Sequence, residues 1–254
     1  GTTGNSLTIT INGVNDTPVL IAPTSANYTD TSATDTFSNT TGTLSASDRD
    51  TGPTLSYGIS SGTTGGSTLI GGITYDVSKA GTYGTLYVVS TGADKGKYAY
   101  VPTANVINAL TSNVTDTFTV SSSDGSLSNT QTFTVNITGV NDAPTTADKT
   151  ITINEDTATL LTVSDFGFSD VDTGSSLSSV KITSLASDGV LEYDNSGTWT
   201  AVTLNQVITA SDITGNKLRF NPSLNENGTT YATFNFTVND GTVDSSAKTI
   251  TYNV

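Results

Sequence analysis

Gly139-Val140-Asn141-Asp142-Ala143-Pro144 decides the reading of this chain, because it has a near copy at Gly13-Val14-Asn15-Asp16-Thr17-Pro18. Each copy follows a run of alternating polar and apolar residues, Thr134-Val135-Asn136-Ile137-Thr138 in one case and Thr8-Ile9-Thr10-Ile11-Asn12 in the other. The chain closes on a third such run, Thr249-Ile250-Thr251-Tyr252-Asn253-Val254, which stops where a third copy would begin. Strict alternation marks a half-buried strand, and the proline ends it by removing a donor and fixing φ. The element therefore reads as a joint in a segment excised from a longer array. Internal repetition at so long a period points to beads in tandem, not to a solenoid of short units.

Working outward from the joints, residues 1–14 read as the last strand of a preceding repeat, with Leu7, Ile9 and Ile11 on one face. Residues 15–18 form a linker and 19–140 a first complete repeat. A second linker at 141–144 leads to a second repeat at 145–254. Strands are expected in the first repeat at Val19–Ala22, Phe37–Ala46, Leu55–Ile59, Ile73–Val77, Gly84–Val89, Lys97–Val101, Asp116–Val120 and Thr130–Ile137. The turn markers between them include Asp50-Thr51-Gly52-Pro53, Gly65-Gly66, Asp94-Lys95-Gly96 and Asp124-Gly125. The second repeat offers strands at Lys149–Asn154, Ala158–Val163, Ser179–Ser184, Gly189–Tyr193, Thr198–Thr203, Lys217–Asn221, Tyr231–Asn239 and Ala247–Val254. Helical turns are expected only at Ala104–Leu110 and Thr209–Thr214. Short alternating strands with frequent turns predict an all-β chain of two tandem β-sandwich domains, with about seven main strands each.

Composition supports this. Only 13% of the 254 residues are charged, and Thr, Ser, Asn, Gly, Val and Ile dominate. The formal net charge of -14 argues against nucleic acid or an anionic membrane as a partner and favours divalent cations. The chain has no Cys and no His, which removes disulfides, thiolate sites and the commonest general base. No apolar run approaches the length of a membrane span, and no membrane insertion is expected. Such a chain suits a bacterial cell-surface or secreted, extracellular protein stabilised by metal, and as a fragment it is expected to be a monomer.

The repeats share further elements in the same order. Ser47-Asp48-Arg49-Asp50-Thr51-Gly52 matches Ser169-Asp170-Val171-Asp172-Thr173-Gly174. Phe118-Thr119-Val120 with Asp124-Gly125 matches Phe236-Thr237-Val238 with Asp240-Gly241. With Tyr28-Thr29-Asp30-Thr31, Tyr83-Gly84-Thr85-Leu86, Tyr98-Ala99-Tyr100-Val101-Pro102 and the joint at 139–144, residues 19–144 resemble a VCBS repeat. Residues 145–254 are similar to its cadherin-like relatives in bacterial RTX-type adhesins, through Asn154-Glu155-Asp156-Thr157, Ser169-Asp170-Val171-Asp172, Phe220-Asn221-Pro222 and Asn239-Asp240-Gly241. The resemblance implies Ig-like or cadherin-like Greek-key sandwiches, calcium at the junctions and a place in a large surface adhesin. Arg49 departs from the family pattern by setting a cation between two candidate ligands.

Strand direction tests the calcium idea separately. In a seven-stranded antiparallel sandwich the second–third and sixth–seventh connections return to the end where the chain enters. Asp170, Asp172 and Asp240 should therefore meet Asn141 and Asp142 at the second joint. The first–second connection of the preceding repeat, carrying Asp30 and Asp35, should face the same joint. Asn15, Asp16, Asp48, Asp50 and Asp124 form the equivalent set at the first joint, and Glu155 and Asp156 serve a third. Bare carboxylates converging this way repel, and a hard cation seeking six to eight oxygens suits them; flexible, carboxylate-rich sites favour Ca2+ over magnesium. Taken singly, Asp-Gly is a hairpin turn, Asp-x-Asp-Thr-Gly a solvated loop and Asn-Asp-x-Pro a linker. Their joint recurrence favours metal.

Catalysis finds no support: paired carboxylates could cleave glycosides, but here the pairs repeat with the linker. Two functional readings follow. In one, the repeats are calcium-stiffened extenders whose partners are neighbouring repeats of the same chain. In the other, a repeat binds a surface glycan or protein. Trp199 and the tyrosines invite the second reading, although core or edge packing is the plainer account of Trp199, Tyr98 and Tyr100.

Overall fold

The computed structural model describes residues 4, 6–50, 52 and 54–254. Thr51 and Pro53, part of the first Asp-x-Asp-Thr-Gly motif and its turn, lie outside the described residues, as do residues 1–3 and 5 of the opening segment. In the first repeat the strands are β1 (Val19–Leu20), β2 (Ala26–Thr29), β3 (Thr40–Thr43), β4 (Ala46–Ser47), β5 (Ser56–Ile59), β6 (Thr63–Ile70), β7 (Ile73–Ala80), β8 (Gly84–Val88) and β9 (Lys97–Pro102). The helical turn α1 (Ala104–Ile107) follows, then β10 (Val114–Ser123) and β11 (Ser128–Thr138). In the second repeat they are β12 (Lys149–Thr152), β13 (Thr159–Leu160), β14 (Ser179–Ile182), β15 (Val190–Asn195), β16 (Thr198–Ala201), β17 (Val207–Thr209), the helix α2 (Ala210–Thr214), β18 (Leu218–Asn221), β19 (Ala232–Asn239) and β20 (Lys248–Asn253). Each repeat is an Ig-like, cadherin-like sandwich. The first sets a sheet ordered β2-β11-β10-β5 with one ordered β3-β9-β8-β7-β6; the second sets β12-β20-β19-β14-β17 with β13-β18-β15-β16.

Alternation builds both cores. In β10 and β11, Phe118, Val120, Phe133, Val135 and Ile137 point inward and are buried, with Phe118 directly opposite Phe133. Tyr98 and Tyr100 join them from β9, as their phase on the strand predicts. In the second sandwich Phe220 of β18 stacks on Tyr252 of β20 with centroids 3.9 Å apart, and Phe234 and Phe236 of β19 complete the cluster. Full burial of each such ring contributes about 1.5–3 kcal/mol.

The strand count exceeds seven, and four expectations need correcting. Thr63–Ile70, with its Gly65-Gly66 pair, is an edge strand and not a turn: the glycines occupy an irregularity between Thr64 and Thr68 where the ladder with β7 shifts register. Phe37–Ala46 is not one strand, because the chain changes sheets at Leu44. β3 pairs with β9, whereas β4 pairs with β1. Ala158–Val163 ends early, since Asp165 accepts from the Thr162 amide (2.8 Å) and caps a 3-10 turn at Val163–Phe166. Residues 6–12 form no strand, and Leu7, Ile9 and Ile11 are 75–89% exposed. A single strand without ladder partners gains no hydrogen bonds and buries no face.

By contact the chain divides into two compact units whose bounds differ from the repeats. Among the described residues, one holds those up to Tyr28 with those of Thr36–Ala104 and Val114–Ile137. The other holds Thr29–Asp35, Asn105–Asn113 and Thr138–Val254. Two loops of the first repeat thus pack as part of the second unit.

Candidate metal centre

The second joint begins with a backbone constraint. An ideal Cβ at Gly139 would lie 2.5–2.6 Å from the Leu110 carbonyl oxygen, Leu110 Cβ and the Ser112 carbonyl oxygen, so no other residue fits against segment 105–113. Past Gly139 the side chains lock onto the loops of the second sandwich. Asn141 Nδ2 donates to Asp240 Oδ2 at 2.8 Å, the Asp142 amide donates to Asp172 Oδ2 at 2.7 Å, and the Asp172 amide donates to Asp170 Oδ1 at 2.9 Å. Asp240 also caps its hairpin by accepting from the Thr242 and Val243 amides. From the 105–113 segment, the Ala109 carbonyl accepts from the Thr173 amide at 3.1 Å.

Strand order thus brings Asn141, Asp142, Asp170, Asp172 and Asp240 together, and the 29–35 loop adds Asp30 and Asp35. The corner is buried: Asp30, Asp142 and Asp172 are 1%, 3% and 5% exposed. Both oxygens of Asp30, and one each of Asp142, Asp170 and Asp172, are buried without a hydrogen-bond partner. The Val140 and Thr31 amides lie near enough to Asp30 to favour its charge, yet neither attains hydrogen-bond geometry. Desolvation, then the charges of Asp30, Asp172, Asp170 and Asp35, push the Asp142 carboxyl up to about 6. Burial likewise raises Asp30 and Asp172. Burial also presses Asp240 upward, but its bonds to Asn141, Val243 and Thr242 outweigh this and hold it below the ordinary range. Lys149, the one cation near in sequence, lies 3.8 Å from Asp165 instead. A cavity of about 380 Å³, lined by Ser32, Thr34, Asp142, Ser169 and Asp170 among others, opens onto the corner.

Unpartnered buried carboxylates cost several kcal/mol each unless they are neutralised. Protons can do this, and so can a cation. The donor set, anionic oxygens with a solvent path, fits a hard divalent ion. Among the described residues no three carboxylates are gathered tightly enough to hold a metal as they stand. Mutual repulsion opposes closer approach while their charges are uncompensated.

The first joint repeats the frame in the first unit. Asn15 Nδ2 donates to Asp124 Oδ2 at 2.8 Å, the Asp16 amide to Asp50 Oδ2 at 2.7 Å, and the Asp50 amide to Asp48 Oδ1 at 2.9 Å. The Leu127 and Ser126 amides, then Asn15, hold the Asp124 carboxyl below its usual range. Here Asn15 and Asp16 are exposed, and a Cβ at Gly13 would meet nothing within 4 Å. Arg49 is exposed and forms no ion pair with Asp48 or Asp50.

Glu155 and Asp156 stand apart from both sets. They are exposed in the β12–β13 turn, where Asp156 accepts from the Asn225 amide (2.7 Å) and Glu155 from Asn227 (3.3 Å). Asp94, in the expected Asp94-Lys95-Gly96 turn, pairs with Lys97 at 2.6 Å. Sequence reasoning missed Asn108, which is 2% exposed and bonded to the Asp35 backbone in both directions. A lone Asn in a helical turn carries no signal of such a role. Trp199 is half-buried on edge strand β16, and the Arg219 guanidinium lies 4.0 Å over its ring, covering one face from any stacking sugar.

A family model described as a bacterial Ig domain matches residues 141–253. No curated protein matches in sequence. Among solved structures, the chain is similar to EC3-6 of protocadherin gammaB7, with 15% identity, a TM-score of 0.39, and 95% of this chain and 52% of that one covered. Human protocadherin-24 EC1-2 gives 15% identity and a TM-score of 0.36, covering 90% of this chain and 94% of that one. An endo-fucoidan hydrolase of glycoside hydrolase family 107 gives 18% identity and a TM-score of 0.32, over 94% of this chain but only 28% of the hydrolase. At these scores the structural likenesses bear on no activity.

Proposed function

We propose that the chain is a pair of calcium-stiffened extender repeats from a large bacterial surface or secreted adhesin of the VCBS and RTX kind, a non-catalytic spacer holding distal adhesive regions away from the cell. The observation that carries this reading is the buried corner at the second joint, where Asp30, Asp142, Asp170 and Asp172 present five unpartnered oxygens. Bound Ca2+ would supply the missing positive charge and accept those oxygens as ligands. Asp30 comes from a first-repeat loop, Asp142 from the linker and the other two from a second-repeat loop. Shared ligation would therefore tie three separate stretches of chain, and the loss of freedom would convert a hinge into a strut. The match of residues 141–253 to a bacterial Ig domain supports an extracellular module.

The test is a calorimetric titration with calcium, paired with X-ray scattering in calcium and in chelator. Binding with a longer or stiffer particle in calcium is the expected result. Identical scattering and melting in the two conditions would overturn the proposal.

A further inference from the structure

The Asp170, Asp172 and Asp240 carboxylates are bonded within the second joint, whereas the Asp30–Asp35 turn is anchored from outside it as well. Asn108 follows α1 and is almost fully buried, and its amide is spent on the backbone of one residue. Nδ2 donates to the Asp35 carbonyl at 2.9 Å, and Oδ1 accepts from the Asp35 amide at 2.8 Å. The pair imitates one rung of an antiparallel ladder at a place where no strand passes. Asp35 then closes the turn on itself, its Oδ2 accepting from the Thr31 amide at 2.6 Å and from Thr31 Oγ1 at 2.9 Å. At the other end of the turn the Asp30 amide donates to the Thr138 carbonyl at 2.9 Å. Between these anchors sits the Asp30 carboxylate, buried, with both oxygens unpartnered.

We propose that Asn108 is a positioning residue for the cation site of the second joint: it holds the turn that presents Asp30 and takes no part in ligation itself. This rests on the cation reading above. Oδ1 of Asn108 is engaged by the Asp35 amide and Nδ2 is a donor with no lone pair to give an ion, so the side chain is committed to the turn. Without it the turn is free to rotate outward and relieve the repulsion on Asp30. The cost then falls on cation affinity, because the ion must re-order the turn as it binds.

The test is calcium calorimetry on the full chain, comparing wild type with Asp142→Asn, Asn108→Leu and Thr31→Val. Asp142→Asn identifies the binding phase that belongs to the second joint. Asn108→Leu keeps the branched shape and removes both bonds, and it is expected to weaken that phase about tenfold or more, as loss of an outer-shell partner does. It should also shrink the melting-temperature gain that calcium produces. A purely structural role would lower melting equally in calcium and chelator and leave the affinity unmoved. Thr31→Val loosens the same turn without emptying a buried site, and it decides the matter if Asn108→Leu fails to fold. An unchanged second-joint phase in the folded variants overturns the role of Asn108. No calcium binding in the wild type overturns the cation reading instead.

Discussion

The amide of Asp142 donates to Oδ2 of Asp172 at 2.7 Å, and this single bond fixes one oxygen while leaving the other buried and bare. Asp16 and Asp50 repeat the bond at the same length in the exposed first joint. The hydrogen-bonded frame is thus intrinsic to each repeat, and what distinguishes the second joint is its burial. Asp142→Asn should have opposite effects in two buffers. In chelator it removes a desolvated charge and should raise stability by on the order of 1–2 kcal/mol. In saturating calcium it removes a ligand and should lower the melting temperature. Thermal denaturation in both buffers checks this, and the same sign in both would contradict it.

The pH dependence follows from Asp142 being raised to about 6 in the folded chain. An acid raised on folding binds its proton more tightly in the native state. The contribution of Asp142 to stability in chelator should therefore rise as pH falls from about 7 to about 4, by on the order of 2 kcal/mol, opposed by Asp124 and Asp240, whose depressed carboxyls lose their contribution as pH falls. The raised Asp30 and Asp172 act in the same direction as Asp142. In calcium the slope should reverse, since protons compete with the ion for the same oxygens. Denaturant melts at half-unit pH steps would show both slopes.

Gly139 and Gly13 occupy equivalent places but should respond differently to Ala. At Gly139 a Cβ would press on the Leu110 and Ser112 backbone, whereas at Gly13 it would meet open space. Gly139→Ala should cost about 1–3 kcal/mol with or without calcium, and Gly13→Ala should be near neutral. Comparing their melting temperatures is sufficient.

Asp94→Ala serves as a control on charge alone. It removes a half-exposed pair with Lys97, worth at most about 1 kcal/mol, and should leave the calcium response intact. A lost response would show that net charge, and not the corner, governs the effect.

The convergence of Asn141 and Asp142 on Asp170, Asp172 and Asp240 was legible because strand direction is countable, and β10, β11, β19 and β20 because alternation there is long. Thr63–Ile70 was not legible, since Gly65-Gly66 reads as a turn unless the facing β7 is known to absorb the irregularity. Leu7, Ile9 and Ile11 carry a strand pattern yet form none, because pattern cannot supply a ladder partner. The burial of Asp30 was hidden for the same kind of reason: it depends on segments 29–35 and 105–113 folding onto residues far along the chain. Asn108 is the extreme case, a residue whose importance lies wholly in what it reaches.

β12 runs parallel to β20, pairing Lys149 with Ile250 through to Thr152 with Asn253. The first and last strands of the second sandwich thus lie side by side and point the same way. Tension applied at the two ends of this domain pulls these neighbours in opposite directions along their length. Their rungs then share the load at once, where a hairpin would open one rung at a time, and the domain should yield abruptly at high force.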